Sequence, residues 1–361
     1  MGVRAYNFNP GPAALPLEVL RQAQEELVEY QGLGMSLMEA SHRAAKVQEI
    51  NDEAQALLLE LLGIKEGYHV LFMGGGASQQ FAQIPMNFLT PEKTAAYAIT
   101  GSFAEKAFEE ASYYGKAAIV ASSKEQGWSR IPGGNEYQLP ADTAYVHICT
   151  NNTIEGSQYK DIPNVNAPLV ADMSSDILGI QRDASKFDFI YAGAQKNLGP
   201  AGVTVVVAKD DFVAQGTKNI PVIFRYGTFL KNNSLYNTPP VQAIYMVNLV
   251  LKWVKANGGV AAMEAQNIKK ADLLYNVVDA SGGFYTTKIE KPYRSIMNVT
   301  WNMKDEETEK QFLKECKEQG FVGLAGHRSV GGMRASIYNA VPYEAVKAVA
   351  DFMQDYQKRN G

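Results

Sequence analysis

A lysine, Lys196, lies in a turn of small residues between two apolar segments and is well suited to covalent chemistry. The segments Phe187–Tyr191 and Val203–Val207 are short and rich in β-branched and aromatic residues, which predicts two buried strands. Burying an unpaired ammonium is costly, but burial also lowers the pKa of a lysine and makes it a nucleophile that can form a Schiff base. This segment alone leaves a second interpretation equally open, an exposed lysine at the tip of a hairpin.

A glycine-rich segment, Gly74–Gly76, follows one predicted strand and precedes a predicted helix. Glycines let backbone N–H groups approach an anion, and the N-terminus of a helix favours negative charge. The segment is therefore a candidate phosphate-binding loop. It lacks the Lys-Ser/Thr pair of a P-loop and the third glycine of the dinucleotide fingerprint. A tight turn without a ligand is the alternative interpretation.

An aspartate, Asp172, ends the predicted strand Leu169–Ala171, and Lys196 follows 24 residues later. A carboxylate at this position can hold a proton on a pyridine nitrogen, although capping a helix is another common role of aspartate. A phosphate-binding loop, a strand-end aspartate and a strand-end lysine, in that order, together suit one ligand. That ligand is pyridoxal 5′-phosphate.

The composition excludes several classes of protein. With 361 residues the chain can form two domains, and 46% hydrophobic and 20% charged residues are typical of a soluble globular enzyme. The net charge of −4 disfavours a general nucleic-acid binder. No apolar segment approaches the roughly 20 residues of a membrane span, and the N-terminus lacks a signal peptide. We therefore expect a cytoplasmic protein that binds neither membranes nor nucleic acids.

The cysteines and histidines show no metal-binding pattern. Cys149 and Cys316 lack CxxC spacing and are predicted to be reduced, structural thiols. The four histidines form neither HExxH nor a Cys/His cluster, so we expect no metal site. His69 and His147 lie in predicted strands and are expected to be core or edge residues.

Predicted strands and helices alternate over the first two-thirds of the chain. The predicted strands are Tyr68–Met73, Thr94–Ile99, Ala117–Ala121, Thr143–Cys149, Leu169–Ala171, Phe187–Tyr191 and Val203–Ala208. Helices are predicted over 17–30, from Ser41 as the cap to Gly63, over 78–88, over 103–114 and after Pro239-Pro240, while Ser122–Tyr137 is predicted to be a loop. This alternation predicts an α/β fold with a mostly parallel seven-stranded sheet and helices on both faces. Ligands of such sheets bind beyond the carboxyl ends of the strands.

The pattern changes after Gly258-Gly259, which is the candidate domain boundary. Beyond it we predict a smaller α+β domain with helices over 260–278, Asp305–Gln319 and from Pro342, and strands Ile296–Trp301 and Met333–Tyr338. The predicted division is a large cofactor-binding domain of residues 16–258 and a small domain of residues 1–15 and 259–361.

Two His-Arg pairs, His42-Arg43 and His327-Arg328, contain half of the histidines, and Arg334 follows the second pair. Arginine binds carboxylates and phosphates through two parallel hydrogen bonds, and a protonated histidine adds another charged donor. Together these residues suit an anion with several charges. The alternative is that they are surface or helix-end charges.

Several segments together give the chain a close resemblance to the phosphoserine aminotransferases, a family of fold-type-I pyridoxal-phosphate enzymes. The matching segments are Asn7–Pro12, Ser41–Arg43, Gly74–Ser78, Ala171-Asp172, Ala192–Gly202, Asn237–Pro240 and Gly326–Ser336. The last segment is the most specific, because fold-type-I enzymes in general share only the cofactor-binding residues. The resemblance extends over essentially the whole chain.

The resemblance implies a role for each matching residue at the cofactor. Lys196 is implied to form the Schiff base, Asp172 to pair with the pyridine nitrogen and Thr153 to contact the phenolic oxygen. Contacts to the cofactor phosphate are implied for Ala77, Ser78 and Gln195, joined by Asn237 and Thr238 from the second subunit of a homodimer. Phe103 stands where many members have tryptophan, so the ring that stacks on the cofactor is smaller and lacks an indole N–H.

The resemblance also implies the substrates. Arg334 is implied to hold the α-carboxylate. The distal phosphate or γ-carboxylate is implied to contact His327, Arg328 and, from the partner subunit, His42 and Arg43. The implied reaction is a ping-pong transamination in serine biosynthesis, which converts 3-phosphohydroxypyruvate and L-glutamate to O-phospho-L-serine and 2-oxoglutarate. Whether 4-phosphohydroxythreonine is also a substrate stays open.

Three other functions are less consistent with the residues. A pyridoxal-phosphate lyase such as a cysteine desulfurase needs a cysteine on a mobile loop, whereas Cys149 and Cys316 fall in a predicted strand and helix. A serine–pyruvate-type transaminase has no distal anion to bind and would not need the doubled His-Arg pairs. A non-catalytic binding module would not need Lys196 and Asp172 together.

Overall fold

Seven strands form the central sheet of the computed structural model, which describes residues 4–361. The strands of this part of the chain are β1 Tyr6–Asn7, β2 Tyr68–Met73, β3 Thr94–Ile99, β4 Ala117–Ser122, β5 Thr143–Cys149, β6 Leu169–Asp172, β7 Phe189–Gly193, β8 Thr204–Lys209, β9 Asn298–Trp301, β10 Phe321–Val322 and β11 Met333–Ser336. The helices are α1 Leu17–Glu25, α2 Ala45–Leu61, α3 Gly76–Phe88, α4 Ser102–Tyr114, α5 Asp210–Ala214, α6 Tyr226–Lys231, α7 Val241–Ala256, α8 Gly259–Ala280, α9 Glu306–Glu318 and α10 Tyr343–Asn360.

The sheet has the order β2-β8-β7-β6-β5-β3-β4. Strands β4, β3, β5, β6 and β7 pair in parallel, whereas β8 runs antiparallel to both β7 and β2. The predicted mostly parallel seven-stranded sheet is therefore confirmed. In the register of the central strands, Cys149 lies opposite Asp172, and Asp172 lies opposite Tyr191. The carboxyl ends of β5, β6 and β7 thus end at one edge of the sheet.

Helices cover both faces of the sheet, as predicted. On one face, Ala54 and Leu58 of α2 and Val247 of α7 pack into a core cluster with sheet residues such as Val205. On the other face, helices α3 and α4 contribute to a second cluster with other sheet residues, and its members include Phe81, Ile84, Ala104, Ala107 and Tyr191. Because the strands are buried on both faces, they are almost continuously apolar.

A third core cluster lies among the C-terminal elements and includes Phe8 near the N-terminus, together with Trp301, Phe312 and Tyr356. Strand β1 pairs in parallel with β10, and β9 pairs antiparallel with β11. Helix α8 contributes to two clusters, with Met263 in the first and Leu274 in the third. The boundary at Gly258-Gly259 stays a prediction.

Two helix ends differ from the sequence-based expectation. Helix α1 ends at Glu25 rather than at residue 30, because the chain then turns and buries the Tyr30 ring edge-on against Tyr245, with 5.4 Å between ring centres. The prediction that Ser41 caps α2 is wrong. Helix α2 begins at Ala45, and the Ser41 hydroxyl accepts a hydrogen bond from the Arg43 N–H in the preceding turn.

Smaller differences concern strand ends and the loop. Strands β9 and β11 are shorter than predicted, β7 begins and ends two residues later than predicted, and the loop at 122–137 contains two short 3₁₀ segments. His69 lies on edge strand β2 and pairs with Asp210. His147 is buried, lies 2.8 Å from the Tyr191 hydroxyl, and burial lowers its pKa to about 3. Both histidines are structural in this arrangement, as expected.

A buried lysine on α8, Lys270, holds the chain reversal after β11. Its Nζ donates hydrogen bonds to the carbonyl oxygens of Ile337, Tyr338 and Val341 at 2.8, 2.7 and 3.1 Å. The side chain is almost fully buried, at 2% exposure. The Tyr338 carbonyl also accepts a hydrogen bond from the Val341 N–H, so the carbonyls of Ile337 and Val341 are the two that depend on the lysine.

We expect Lys270→Met to lower the free energy of unfolding by about 2 kcal/mol, at roughly 1 kcal/mol for each of the two carbonyls that lose their donor. Thermal and denaturant unfolding measure the change. Lys269→Met is the matched control, because the neighbouring Lys269 side chain is exposed. Equal stability of the two variants would contradict this role of Lys270.

Candidate active site

Lys196 lies in the connection between β7 and β8, and its side chain is directed into the protein. Its Nζ donates a hydrogen bond to Thr153 Oγ1 at 2.7 Å and lies 5.1 Å from the centre of the Phe103 ring. Burial lowers the pKa of this amine, and the nearby Asp172 carboxylate only partly opposes the effect. The connection does join two antiparallel strands, but the lysine is not an exposed hairpin tip. Its environment favours a nucleophilic amine.

Asp172 ends β6 at the same edge of the sheet. The side chain is 5% exposed, and its Oδ1 accepts a hydrogen bond from the Ser174 N–H at 2.8 Å. Residues 174–179 form turns rather than a helix, so the helix-cap alternative for this aspartate is wrong. Burial raises the pKa of the carboxyl, and the charge of Lys196 and the hydrogen bond from Ser174 partly oppose that rise. A cationic N–H group on the ring of a ligand would give the Asp172 carboxylate a charged hydrogen-bond partner.

The N-terminus of α3 follows Gly75, whose φ of +84° is in the left-handed region. A Cβ atom on Gly75 would lie 1.8 Å from Gln79 Oε1, so glycine is required here for space as well as conformation. The first turn of α3 carries Ala77 and Ser78, and no side chain caps it. Free N–H groups at the start of a 13-residue helix suit an anion such as a phosphate.

Arg334 lies on β11, opposite Thr300 of β9. Its side chain is 5% exposed, and Nη1 donates a hydrogen bond to the Thr153 carbonyl oxygen at 3.1 Å. Nε is buried and has no partner among the described residues. Burial lowers the pKa of the guanidinium, although it stays charged. Thr153 therefore bonds to Lys196 through its hydroxyl and to Arg334 through its carbonyl.

The second His-Arg pair lies in the loop before β11. His327 is partly buried and its Nδ1 lies 2.7 Å from Ser329 Oγ, whereas Arg328 is exposed. Burial lowers the pKa of His327, and the charges of Arg334, Arg328 and Lys106 lower it further. A concentration of positive charge around this histidine suits an anionic ligand.

The first His-Arg pair and the segment Asn237-Thr238 are not brought to Lys196 within this chain. Arg43, Asn237 and Thr238 are exposed, and His42 Nε2 is buried without a partner in residues 4–361. In the described chain, no hydrogen bond links these four residues to Lys196, Asp172 or Arg334. Their implied roles, which involve a second subunit, stay predictions.

The two cysteines are unsuited to nucleophilic catalysis. Cys149 is buried in β5 and Cys316 is buried in α9. Burial raises the pKa of both thiols, to about 12 for Cys316. A thiol with a raised pKa is a poor source of thiolate. This disfavours the desulfurase alternative.

Two residues near the site were missed by the sequence reasoning. Lys106 Nζ lies 5.4 Å from the centre of the Phe103 ring. The two residues are three positions apart on α4, and this helical spacing could have indicated that they are in contact. Glu155 is 8% exposed and accepts hydrogen bonds from Ser102 at the start of α4. No local pattern identifies Glu155, because its partner lies 53 residues away in sequence.

Residues 4–361 contain no group of three or more His, Cys, Asp or Glu side chains that could hold a metal ion. Over the same range, no helix combines the length and the apolar composition that crossing a membrane requires.

A mostly parallel sheet with a lysine, an aspartate and an uncapped helix N-terminus at one edge is the arrangement of the fold-type-I pyridoxal-phosphate enzymes. The class-V aminotransferase family model matches residues 5–349, and the chain belongs to this family. It is 54% identical to the phosphoserine aminotransferase of Niallia circulans over 362 residues, which covers 100% of each chain.

Solved structures show the same similarity. The phosphoserine aminotransferase of Bacillus circulans subsp. alkalophilus matches with a TM-score of 0.98 and 54% identity over 99% of each chain. The pyridoxal-phosphate-bound phosphoserine aminotransferase of Trichomonas vaginalis matches with a TM-score of 0.92 and 38% identity, over 97% of this chain and 100% of that one. The predicted fold-type-I architecture is confirmed.

We expect Lys106→Met and Arg328→Met each to raise the pKa of His327, because each removes a positive charge that disfavours the imidazolium. NMR titration of isotope-labelled histidines measures the change, with His327→Gln identifying the resonance. Lys347→Met, an exposed substitution on α10, should leave the titration unchanged. An unaltered pKa in both test variants would show that these cations do not face His327.

Proposed function

We propose that this chain is a pyridoxal-phosphate-dependent phosphoserine aminotransferase. It transfers an amino group between L-glutamate and 3-phosphohydroxypyruvate, giving 2-oxoglutarate and O-phospho-L-serine in serine biosynthesis. The observation that carries the proposal is the double contact of Thr153, which holds the amine of Lys196 and the guanidinium of Arg334 beside each other. Full-length identity of 54% to a phosphoserine aminotransferase supports the choice of substrates.

The residues of the site fit the proposed cofactor. The free N–H groups of Ala77 and Ser78 and the side chain of Gln195 would hold the phosphate, joined by Asn237 and Thr238 of a second subunit. Asp172 would hold the ring nitrogen, and Thr153 would contact the phenolic oxygen. The Phe103 ring would stack on the pyridine. When bound, pyridoxal phosphate supplies an aldehyde that reacts with amines and a protonated ring that withdraws electrons.

In this proposal, Lys196 performs the proton transfers. Its amine, with a pKa lowered by burial, takes the proton from the substrate Cα and later returns a proton during the same half-reaction. The Thr153 hydroxyl orients Nζ at 2.7 Å. The Asp172 carboxylate keeps the ring nitrogen protonated, which a charge-assisted hydrogen bond favours.

Substrate choice is assigned to the positive side chains. Arg334 binds the α-carboxylate that both substrates share, because its buried guanidinium has an unpartnered Nε. His327 and Arg328 bind the distal phosphate or γ-carboxylate, together with His42 and Arg43 of a second subunit. Pyruvate has no distal anion, and it would leave these donors without a partner.

The homodimer is also a proposal. Exposed apolar side chains accumulate before α2 and beside Asn237, namely Leu27, Val28, Met35, Met38 and Tyr236. Such a group of exposed apolar residues is typical of an interaction surface. Light scattering of the purified protein measures the mass, and a monomer would contradict the shared site.

The division into a domain of residues 16–258 and a domain of residues 1–15 and 259–361 is proposed as well. The pairing of β1 with β10 and the third core cluster support it. A cytoplasmic location is proposed from the two buried free cysteines, since reduced thiols are usual there.

With L-glutamate as donor, we expect turnover with 3-phosphohydroxypyruvate and little with pyruvate or oxaloacetate.

Arg328→Ala should raise KM for 3-phosphohydroxypyruvate by about tenfold or more, the equivalent of one charge-assisted hydrogen bond. Arg334→Ala should slow both half-reactions, because both substrates carry an α-carboxylate. A coupled assay and single-turnover kinetics measure these effects. Equal turnover with pyruvate would overturn the substrate assignment.

Lys196→Ala should abolish turnover, since no other described amine is hydrogen-bonded to Thr153. It should also alter the visible absorption of the bound cofactor. Lys186→Ala is the control, because Lys186 is exposed and lies in the segment that leads into β7. A spectrum and a rate unchanged from the wild type would exclude Lys196 as the reactive lysine.

A further inference from the structure

Glu155 is a buried carboxylate beside the site that the proposed chemistry does not use. Its Oε1 accepts two hydrogen bonds from Ser102, from the backbone N–H at 2.9 Å and from Oγ at 2.6 Å. Ser102 is the first residue of α4, and Phe103 is the second. A carboxylate at the N-terminus of a helix satisfies a free N–H group and interacts favourably with the helix dipole. Glu155 therefore caps the helix that carries the aromatic ring.

The backbone of the same residue is tied to the strand pair that carries Arg334. The carbonyl oxygen of Glu155 accepts a hydrogen bond from Thr300 Oγ1 at 2.9 Å, and Thr300 lies opposite Arg334 in the β9–β11 register. Two residues earlier, the Thr153 carbonyl accepts the hydrogen bond from Arg334 Nη1. Residues 153–155 thus contact Lys196, Arg334 and the start of α4.

The second carboxylate oxygen, Oε2, is buried and has no hydrogen-bond partner among residues 4–361. It faces Gly101, where a Cβ atom would lie 2.6 Å from Glu155 Oε2 and 2.6 Å from Asn152 Oδ1. The φ of Gly101 is 176°, an extended conformation that any residue adopts. A Cβ atom at position 101 would therefore displace the ends of the Glu155 and Asn152 side chains, and its absence leaves room for the carboxylate.

We propose that Glu155 is a positioning residue that sets the Phe103 ring and the Arg334 guanidinium relative to each other. Its carboxylate fixes the start of α4, and its backbone fixes the β9–β11 pair. This inference rests on the proposed function, in which the ring stacks on the cofactor and the guanidinium binds the substrate. A phenyl ring has a smaller stacking area than an indole, so its contribution depends on accurate placement.

Three substitutions test the role of Glu155. Glu155→Ala removes the acceptor, Gly101→Ala displaces it by contact, and Glu155→Gln retains an oxygen acceptor at the same position. Asp305→Ala is the matched control, because Asp305 caps the 13-residue helix α9 through the Thr308 N–H at 2.8 Å. Any general effect of losing a helix cap should be seen in that control as well.

In the holoenzyme, Glu155→Ala and Gly101→Ala should speed hydrogen exchange at the amides of Ser102 and Phe103 by about five- to tenfold, as expected for a lost cap. The visible circular dichroism of the bound cofactor should weaken, and KM for L-glutamate should rise. Glu155→Gln should keep the exchange rates, the circular dichroism and KM close to their wild-type values. Asp305→Ala should leave the cofactor signal and KM at their wild-type values.

Wild-type exchange and circular dichroism in Gly101→Ala would overturn the proposal, even where Glu155→Ala fails to fold. A Glu155→Gln variant as impaired as Glu155→Ala would overturn it as well. Hydrogen exchange at Ser102 needs neither the substrate nor the cofactor. A failure of the proposed substrate assignment would therefore leave this measurement interpretable, and the two failures can be distinguished.

Discussion

The hydrogen bond between Lys196 Nζ and Thr153 Oγ1 is the interaction on which the site depends. A lysine becomes a useful nucleophile only where burial lowers its pKa, and a buried amine needs a polar partner. The parallel register of β5, β6 and β7 meets both requirements, because it ends three strands at one edge of the sheet. Thr153 follows β5, Asp172 ends β6 and Lys196 follows β7.

The charges around this hydrogen bond form an arrangement that a ligand completes. Asp172 is buried without a cationic hydrogen-bond partner in residues 4–361, and Arg334 has a buried Nε without a partner. A buried polar group without a partner, such as this Nε, destabilises a protein by ~1–3 kcal/mol. A carboxylate at Arg334 would remove this penalty, and a cationic ring nitrogen would add a charge-assisted hydrogen bond at Asp172. The proposed function therefore assigns ligand groups of opposite charge to these two residues.

Much of this site could be predicted from the sequence, because its residues lie at the ends of recognisable strands. Lys196, Asp172 and the loop before α3 belong to this group, and their order along the chain indicated the cofactor. The antiparallel direction of β8 and the early end of α1 could not be predicted, since both depend on packing between distant segments, such as Tyr30 against Tyr245. Ser41 was misassigned as a cap because the same hydroxyl can also bond within a turn.

Glu155 could not be identified from the sequence, and it belongs to the segment 153–155 that connects the edge of the central sheet with the β9–β11 pair. Its contacts join residues 53 and 145 positions away in sequence, so no local spacing indicates them. The residues proposed to bind the cofactor lie at the edge of the central sheet, while Arg334 and His327 belong to β11 and the loop before it. Residues 153–155 connect the two groups through hydrogen bonds to both. Substitutions in the loop at 326–332 can therefore alter the charges of His327 and Arg328 while these connecting hydrogen bonds stay in place. In the proposed function, this separates the choice of substrate from the position of the Lys196 amine.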